Sequence, residues 1–299
     1  MSLTLALILD AVFGEPQAIW SRAPHPAVLM GRALSWADTR LNRGRSRRLK
    51  GVVVIGALNM AMVAIGLALA ALPGPVAEIL VAAVLLAQNS LAAHVRAVAE
   101  AMDDGIEAAR DAVARVVGRD TAGLDEAAVA RAAIESAAEN FSDGVVAPAF
   151  WFALFGLPGI LVYKLTNTAD SMIGYRSEKH AEFGWAAARL DDLLNWVPAR
   201  LSAVFIMLAA SKPGAWAFIR RDAPLHRSPN AGWPEAAMAV ALNAGLSGPR
   251  TYDGETRDYP WVYPEGRRRI GAQAIGAAVR ILWRSWALLL TLSLPLWLV

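Results

Sequence analysis

Uncharged runs and short polar clusters alternate along this chain. The longest clean run, Gly51 to Leu72, carries no charged residue and is long enough, at about 1.5 Å per residue, to cross a hydrocarbon core of roughly 30 Å as a helix. A Pro-Gly-Pro turn at Pro73 to Pro75 then returns the chain through a second apolar run, about Val76 to Ala93. A third, Gly144 to Tyr163, is interrupted by Pro148 and by Leu157-Pro158-Gly159, and a fourth, Leu193 to Ser211, contains Pro198 and Arg200. The last, about Gly271 to Val299, places Arg280 and Arg284 one turn apart before ending uncharged. Residues 1 to 9 are apolar but too short to span. No cationic segment precedes them and Asp10 closes them, so they read as a retained helix lying on the membrane rather than a cleaved signal.

Nothing alternates with period two over barrel-strand lengths, so the pattern predicts an all-α, polytopic membrane protein with broken or re-entrant helices and cytoplasmic helical segments. No repeat or long linker divides the chain, which reads as one membrane-embedded domain over residues 1–299. From Arg96 to about Asn140 the sequence turns Ala-rich and mixed in charge. It predicts two cytoplasmic helices, the second capped at Asp120-Thr121. Lys212 to Arg269 is a long polar, basic region, also expected in the cytoplasm.

Composition agrees with the membrane reading. Hydrophobic residues are 56% of the chain and charged ones 18%, with 11 Trp, beyond what a soluble domain usually shows. The absence of cysteine excludes a disulfide framework, a thiolate metal site and a cysteine nucleophile. The basic run Arg40, Arg43, Arg45, Arg47, Arg48 and Lys50 stands immediately before the first span. It is the ordinary mark of a cytoplasmic loop, and without interleaved aromatics it does not point to nucleic acid.

Between residues 134 and 196 the chain concentrates its chemistry in IESAAENFSDG (Ile134 to Gly144), KLTNTADSMIGYR (Lys164 to Arg176), SEKH (Ser177 to His180) and ARLDDLLNW (Ala188 to Trp196). Ionisable side chains beside spans are costly to bury and therefore suggest function. On a helix Glu135, Glu139 and Asp143 share one face with Asn140 beside them. Lys164, Asn167 and Asp170 follow an i, i+3 rhythm, as do Arg189, Asp192 and Asn195. Oxygen-rich stripes with nearby cations suit a magnesium-bound phosphate, while helix caps and solvated ion pairs are the bland alternative for each carboxylate. No phosphate loop or dinucleotide glycine fingerprint occurs, and the histidines lack zinc-ligand spacing. His25, in Pro24-His25-Pro26, suits a substrate contact or a satisfied structural role equally; His226, beside Arg227, Ser228 and Asn230, leans toward function.

These segments, with LDAVFGEP (Leu9 to Pro16), PHPAVLMG (Pro24 to Gly31), FGWAAARLDDLLNWVPAR (Phe183 to Arg200) and SPNAGWPEAAMA (Ser228 to Ala239), resemble the adenosylcobinamide-phosphate synthase family of cobalamin biosynthesis, of the CobD and CbiB type. The resemblance covers nearly the whole chain; Glu15 stands where Asp is more usual and keeps the charge. It implies a ligase of the bacterial inner membrane with its active site facing the cytoplasm. ATP would activate a propionate carboxylate of adenosylcobyric acid, and the amine of aminopropanol or its phosphate would attack. On that reading Glu139, Asp143, Asp170 and Asp192 hold Mg2+ and phosphate, and Lys164, Arg176, Lys179 and Arg189 neutralise phosphate oxygens. Asn140, Asn167, Asp191 and Asn195 join the nucleotide site, Glu135 or His226 is the base, and His25, Trp185, Trp196, Asn230 and Trp233 contact substrate. Membrane lipid and other enzymes of the pathway are the remaining partners it suggests.

A straight span over Gly144 to Tyr163 would put Asp143 and Asn167 roughly 30 Å apart on opposite faces. The breaks at Pro148 and Pro158 therefore predict a re-entrant hairpin, and Leu193 to Ser211 is then re-entrant too or the topology differs. Two other classes compete. A magnesium-dependent lipid or prenyl transferase lacks its usual acidic motifs here, and a non-enzymatic sensor related to the family would not need Asp143, Asp170 and Asp192 together.

Overall fold

A computed structural model of the chain describes residues 1–118, 120–175, 177–252 and 255–297. Helix accounts for 73% of the chain, and among the described residues four helices are long and apolar enough to cross a membrane, so the protein is an all-α polytopic membrane protein. Those spans are Arg47–Ala70, Val76–Ala101, Glu126–Ile173 and Ala272–Ser293, with the broken pair Trp185–Leu194 and Trp196–Ala209 as a fifth if it counts as one. The chain forms two compact units, one of Met1–Ala87, Ala147–Trp196 and Ser293–Val299, the other of Gln88–Val146 and Val197–Leu292.

In the first unit the Arg47–Ala70 helix packs along Ala147–Ile173, and Ser2–Phe13 packs on Val76–Leu85. The second apolar run ends early as a helix, because Leu86 is extended (φ −82°, ψ 159°). The break frees the Val84 carbonyl from its helical partner, and the Nε2–H of His25 occupies it at 3.1 Å. Residues 147–173 are two helical arms parted at Gly156, whose φ of 60° and ψ of −146° suit glycine almost alone. The arms fold back on each other. A Cβ built on Gly159 would collide with the carbonyl of Trp151, eight residues upstream, which a continuous helix would hold about 12 Å away. The chain therefore reverses within this stretch, with the break two residues before Pro158.

The second unit is built around Glu126–Phe141, whose alanines 130, 132, 133, 137 and 138 are buried against Gly232–Leu242, Gln88–Ala101 and Ile106–Ala114. Small side chains allow such close helix approach. Two helices, Ile106–Ala114 and Glu126–Phe141, begin in the stretch expected to hold two, after the end of Gln88–Ala101. The cap is Asp125, which accepts the Ala128 N–H at 2.7 Å; Asp120 instead closes a local turn onto Ala122. Helix gives way to a π-turn over Ser142–Val146, a form common at functional sites, and this changes the face on which Asp143 emerges relative to Glu135 and Glu139. The polar region after Lys212 is not only loop. Gly232–Leu242 is a buried helix, and short antiparallel pairs join Leu246–Ser247 to Trp261–Val262 and Arg250–Tyr252 to Glu255–Arg257.

Candidate functional site

Of the carboxylates singled out in the sequence, Asp191 has the most developed setting. Asn195 donates to its Oδ2 at 3.0 Å and Asn167 to its Oδ1 at 3.3 Å, and Tyr163, fully buried, donates to the side-chain Oδ1 of Asn195 at 2.9 Å. Asn167 comes from the second arm of the hairpin, Asp191 from Trp185–Leu194, and Asn195 from the break that follows it. At that break Asn195 keeps a right-handed helical backbone, and its N–H closes on the Asp191 carbonyl at 2.9 Å. Asp170 and Asp192 both lie within electrostatic reach of Asp191. The Asp170 carboxylate rests in a cradle over Gly174 that a Cβ there would fill, which gives the glycine of the TADSMIG segment a spatial reason.

Asp192 pairs loosely with Arg189 at 3.8 Å, and the Arg189 side chain is 62% exposed, free to turn toward an incoming anion. Lys164 sits half-buried one turn before Asn167 on the same arm. Among the described residues no three His, Cys, Asp or Glu side chains gather as a metal-binding group. That does not conflict with magnesium, which keeps several waters and takes one or two carboxylates plus substrate phosphates rather than a protein cage. Asp170 beside Asp191 offers a pair of that kind.

A second polar cluster in the same unit was not foreseen. Asp38, 8% exposed, receives Lys179 at 2.6 Å and Asn42 at 2.8 Å, with His180 Nε2 at 3.3 Å. Burial opposes charge on Asp38, but the hydrogen bonds from Lys179, Asn42 and His180 outweigh it and hold its pKa below the ordinary value. Arg47 binds the carbonyls of Glu178 and Lys179, fastening the SEKH segment to the start of the first span. Lys179, expected at phosphate, is thus ion-paired within the fold. Arg176 lies outside the described residues. His25 has both ring nitrogens engaged: Nδ1 accepts from Ala27 and caps Pro26–Leu41, while Nε2 serves Val84. Trp185 carries the Arg48 guanidinium 3.8 Å above its ring, and Trp196 is 58% exposed.

In the second unit Glu135 is buried and accepts the Ser247 N–H at 2.7 Å. Asn140 turns back onto Ser136 at 2.9 Å, Glu139 is exposed and Asp143 half-buried. The Ser228 to Ala239 motif folds around Arg200, which donates to Asn230 Oδ1 at 2.7 Å and to the Pro229 carbonyl at 3.2 Å and stacks 4.7 Å over Trp233. His226 Nδ1 accepts the Ser228 N–H at 3.0 Å, which leaves the ring proton on Nε2, 3.7 Å from the buried Glu235 carboxylate. Gly232 lets this happen, since a Cβ there would meet both the Ala223 carbonyl and the His226 Cβ. Arg200 and Glu235 were not singled out beforehand. The signal for Arg200 was a lone arginine in an apolar stretch, but its partners lie about 30 residues away.

The CobD/Cbib protein family model matches residues 3–282. The chain is 48% identical to "Cobalamin biosynthesis protein CobD" of Brucella anthropi over 96% of this chain and 93% of that one. It is 50% identical to the protein of that name from Rhizobium meliloti, covering 94% and 91%, and 47% identical to one from Rhodobacter capsulatus, covering 87% and 85%. No solved structure matches the chain.

Proposed function

The chain belongs to the CobD/Cbib family, and from that premise we propose that it acts in cobalamin biosynthesis as an ATP-dependent amide-forming ligase of the bacterial inner membrane. Its substrates on this reading are adenosylcobyric acid and aminopropanol or aminopropanol phosphate, and its product is adenosylcobinamide or its phosphate. The observation that carries the mechanism is the Asp191 carboxylate held by two side-chain amides beside Asp170 and Asp192.

A carboxylate resists attack by an amine until one oxygen becomes a leaving group. Transfer of the terminal ATP phosphoryl group to the propionate gives an acyl phosphate and ADP; attack by the amine then forms the C–N bond and expels phosphate. Mg2+, when bound, neutralises the phosphate charge and aligns the phosphoryl group. Two of Asp170, Asp191 and Asp192, with the substrate phosphates, would hold it. Asn167 and Asn195 fix the Asp191 carboxylate so that no reorganisation is needed as charge moves. Lys164 and Arg189 supply cations for phosphate oxygens. The amine arrives protonated and must lose a proton before attack; the base we assign is His226, whose Nε2 takes that proton once its own has passed to the facing Glu235 carboxylate. ATP is cytoplasmic and the basic run from Arg40 to Lys50 marks a cytoplasmic loop, which supports a site on that face.

The test uses the full chain purified in detergent with adenosylcobyric acid, aminopropanol phosphate, ATP and magnesium, following the corrinoid product by mass spectrometry beside an Asp143→Ala control. Product from the wild type alone supports the ligase and places Asp143 in its machinery. Product from both keeps the ligase and removes Asp143. Folded protein that yields none from either would shift the reading to a lipid transferase or a sensor.

A further inference from the structure

We propose that the cavity at the turn of the hairpin binds one acyl chain of a membrane phospholipid. The reversal at Gly156 keeps the two arms from closing, and the gap is a cavity of about 280 Å³ lined chiefly by Val63, Trp151, Phe155, Pro158, Val162 and Tyr163. Its two polar-tipped residues are already committed. Trp151 donates its indole N–H to the Leu194 carbonyl at 3.1 Å, and Tyr163 donates its O–H to Asn195. What remains is hydrocarbon. Such a surface holds water poorly and offers nothing to a nucleotide or a headgroup.

The position of the cavity identifies the occupant. Val63 is 39% exposed and Phe155 60% exposed, both on membrane-spanning helices, and the neighbouring Leu67 and Leu154 are exposed as well, so the mouth opens on the lipid-facing surface. The abundant ligand of that phase is an acyl chain. A helix from a second copy, roughly 10 Å across with its side chains, is too wide for a cavity this size. The inference does not depend on the ligase reading, but it adds to it. Trp151 and Tyr163 reach from the cavity wall to Leu194 and Asn195, which flank Asp191, so the chain would pack directly behind the amide-held carboxylate.

The test reconstitutes the full chain in phosphatidylcholine nanodiscs doped with a phosphatidylcholine bearing a diazirine at the end of one acyl chain, irradiates it, and maps adducts by peptide mass spectrometry. Adducts are expected to concentrate on Trp151, Phe155, Val162 and Tyr163 over Leu67 and Met60, which are apolar and at least as exposed. Val63→Trp, which fills the mouth, should lower the cavity adducts severalfold and leave those on Leu67 unchanged. Adducts spread evenly over the exposed apolar surface would overturn the proposal, as would a folded Val63→Trp protein labelled like wild type or a headgroup-borne diazirine labelling the same four residues. If Val63→Trp fails to fold, Val162→Phe makes the same comparison, and the wild-type distribution decides on its own.

Discussion

Asp191 of the first unit and the buried carboxylates Glu135 and Asp222 of the second are held in different ways. In the first unit Asp191 accepts from the side chains of Asn167 and Asn195. In the second, Glu135 accepts from the backbone N–H of Ser247, and Asp222 from the backbone N–H of Tyr263 as well as from the Arg221 side chain. A backbone amide in a buried turn has no substitute partner, so a carboxylate that satisfies it is part of the fold. A side-chain amide can rotate, and a carboxylate held that way can exchange its partners for a ligand. Sequence chemistry alone ranks Glu135 and Asp191 together; the partner's identity separates them. Substitutions should therefore affect turnover in the first unit and stability in the second.

The largest expected effect follows from Asp191→Asn, which removes charge and keeps shape. Turnover at saturating substrates should fall by roughly a hundredfold or more, the scale of losing one group aimed at developing charge, with little change in the melting midpoint. Asp222→Ala should do the reverse. It strands the Tyr263 N–H and breaks the pairing of Arg221 with a nearly buried carboxylate. Denaturation should report a loss of about 3 kcal/mol, with activity per folded molecule retained. Next comes Gly156→Ala, whose only fault is backbone strain, since no neighbouring atom opposes a Cβ there. A cost of roughly 1–3 kcal/mol in unfolding experiments is expected. Tyr163→Phe deletes one buried hydrogen bond and should cost about 1 kcal/mol.

The smallest effect is on pH dependence. Asp38 and Glu265 both have depressed pKa values in the folded chain, Asp38 through the balance described above and Glu265, at about 2, mainly through its hydrogen bonds from Arg221. A carboxylate with a depressed folded pKa contributes stability above its ordinary pKa and loses it as pH falls through the folded value. For Glu265 the window runs from 4.5 down to about 2, and for Asp38 it lies below 3.8. The melting midpoint should fall over that range, and less steeply in Lys179→Met.

The hairpin was legible because proline and glycine punctuate an apolar run, although proline marks the disturbance and the glycine two residues earlier takes the reversal. The break at Leu86 was not legible, since neither residue type marks it; the carbonyl it frees is taken by His25, 59 residues away in sequence. The cap moved from Asp120 to Asp125 because a local turn claims the first aspartate. Asp38 and Arg200 escaped notice for one reason. Each owes its role to partners about 141 and 30 residues distant, and spacing along a helix reports only neighbours within two turns.

The most direct test compares Asp191→Asn with Glu135→Gln in the same corrinoid assay, each at saturating substrates and with folding checked by thermal melting. The account predicts a well-folded Asp191→Asn protein that turns over at about a hundredth of the wild-type rate or less, and a Glu135→Gln protein within about threefold of wild type, because Gln still accepts the Ser247 N–H. Near-normal turnover by folded Asp191→Asn with a collapse in Glu135→Gln would contradict it and make Glu135 the reacting base.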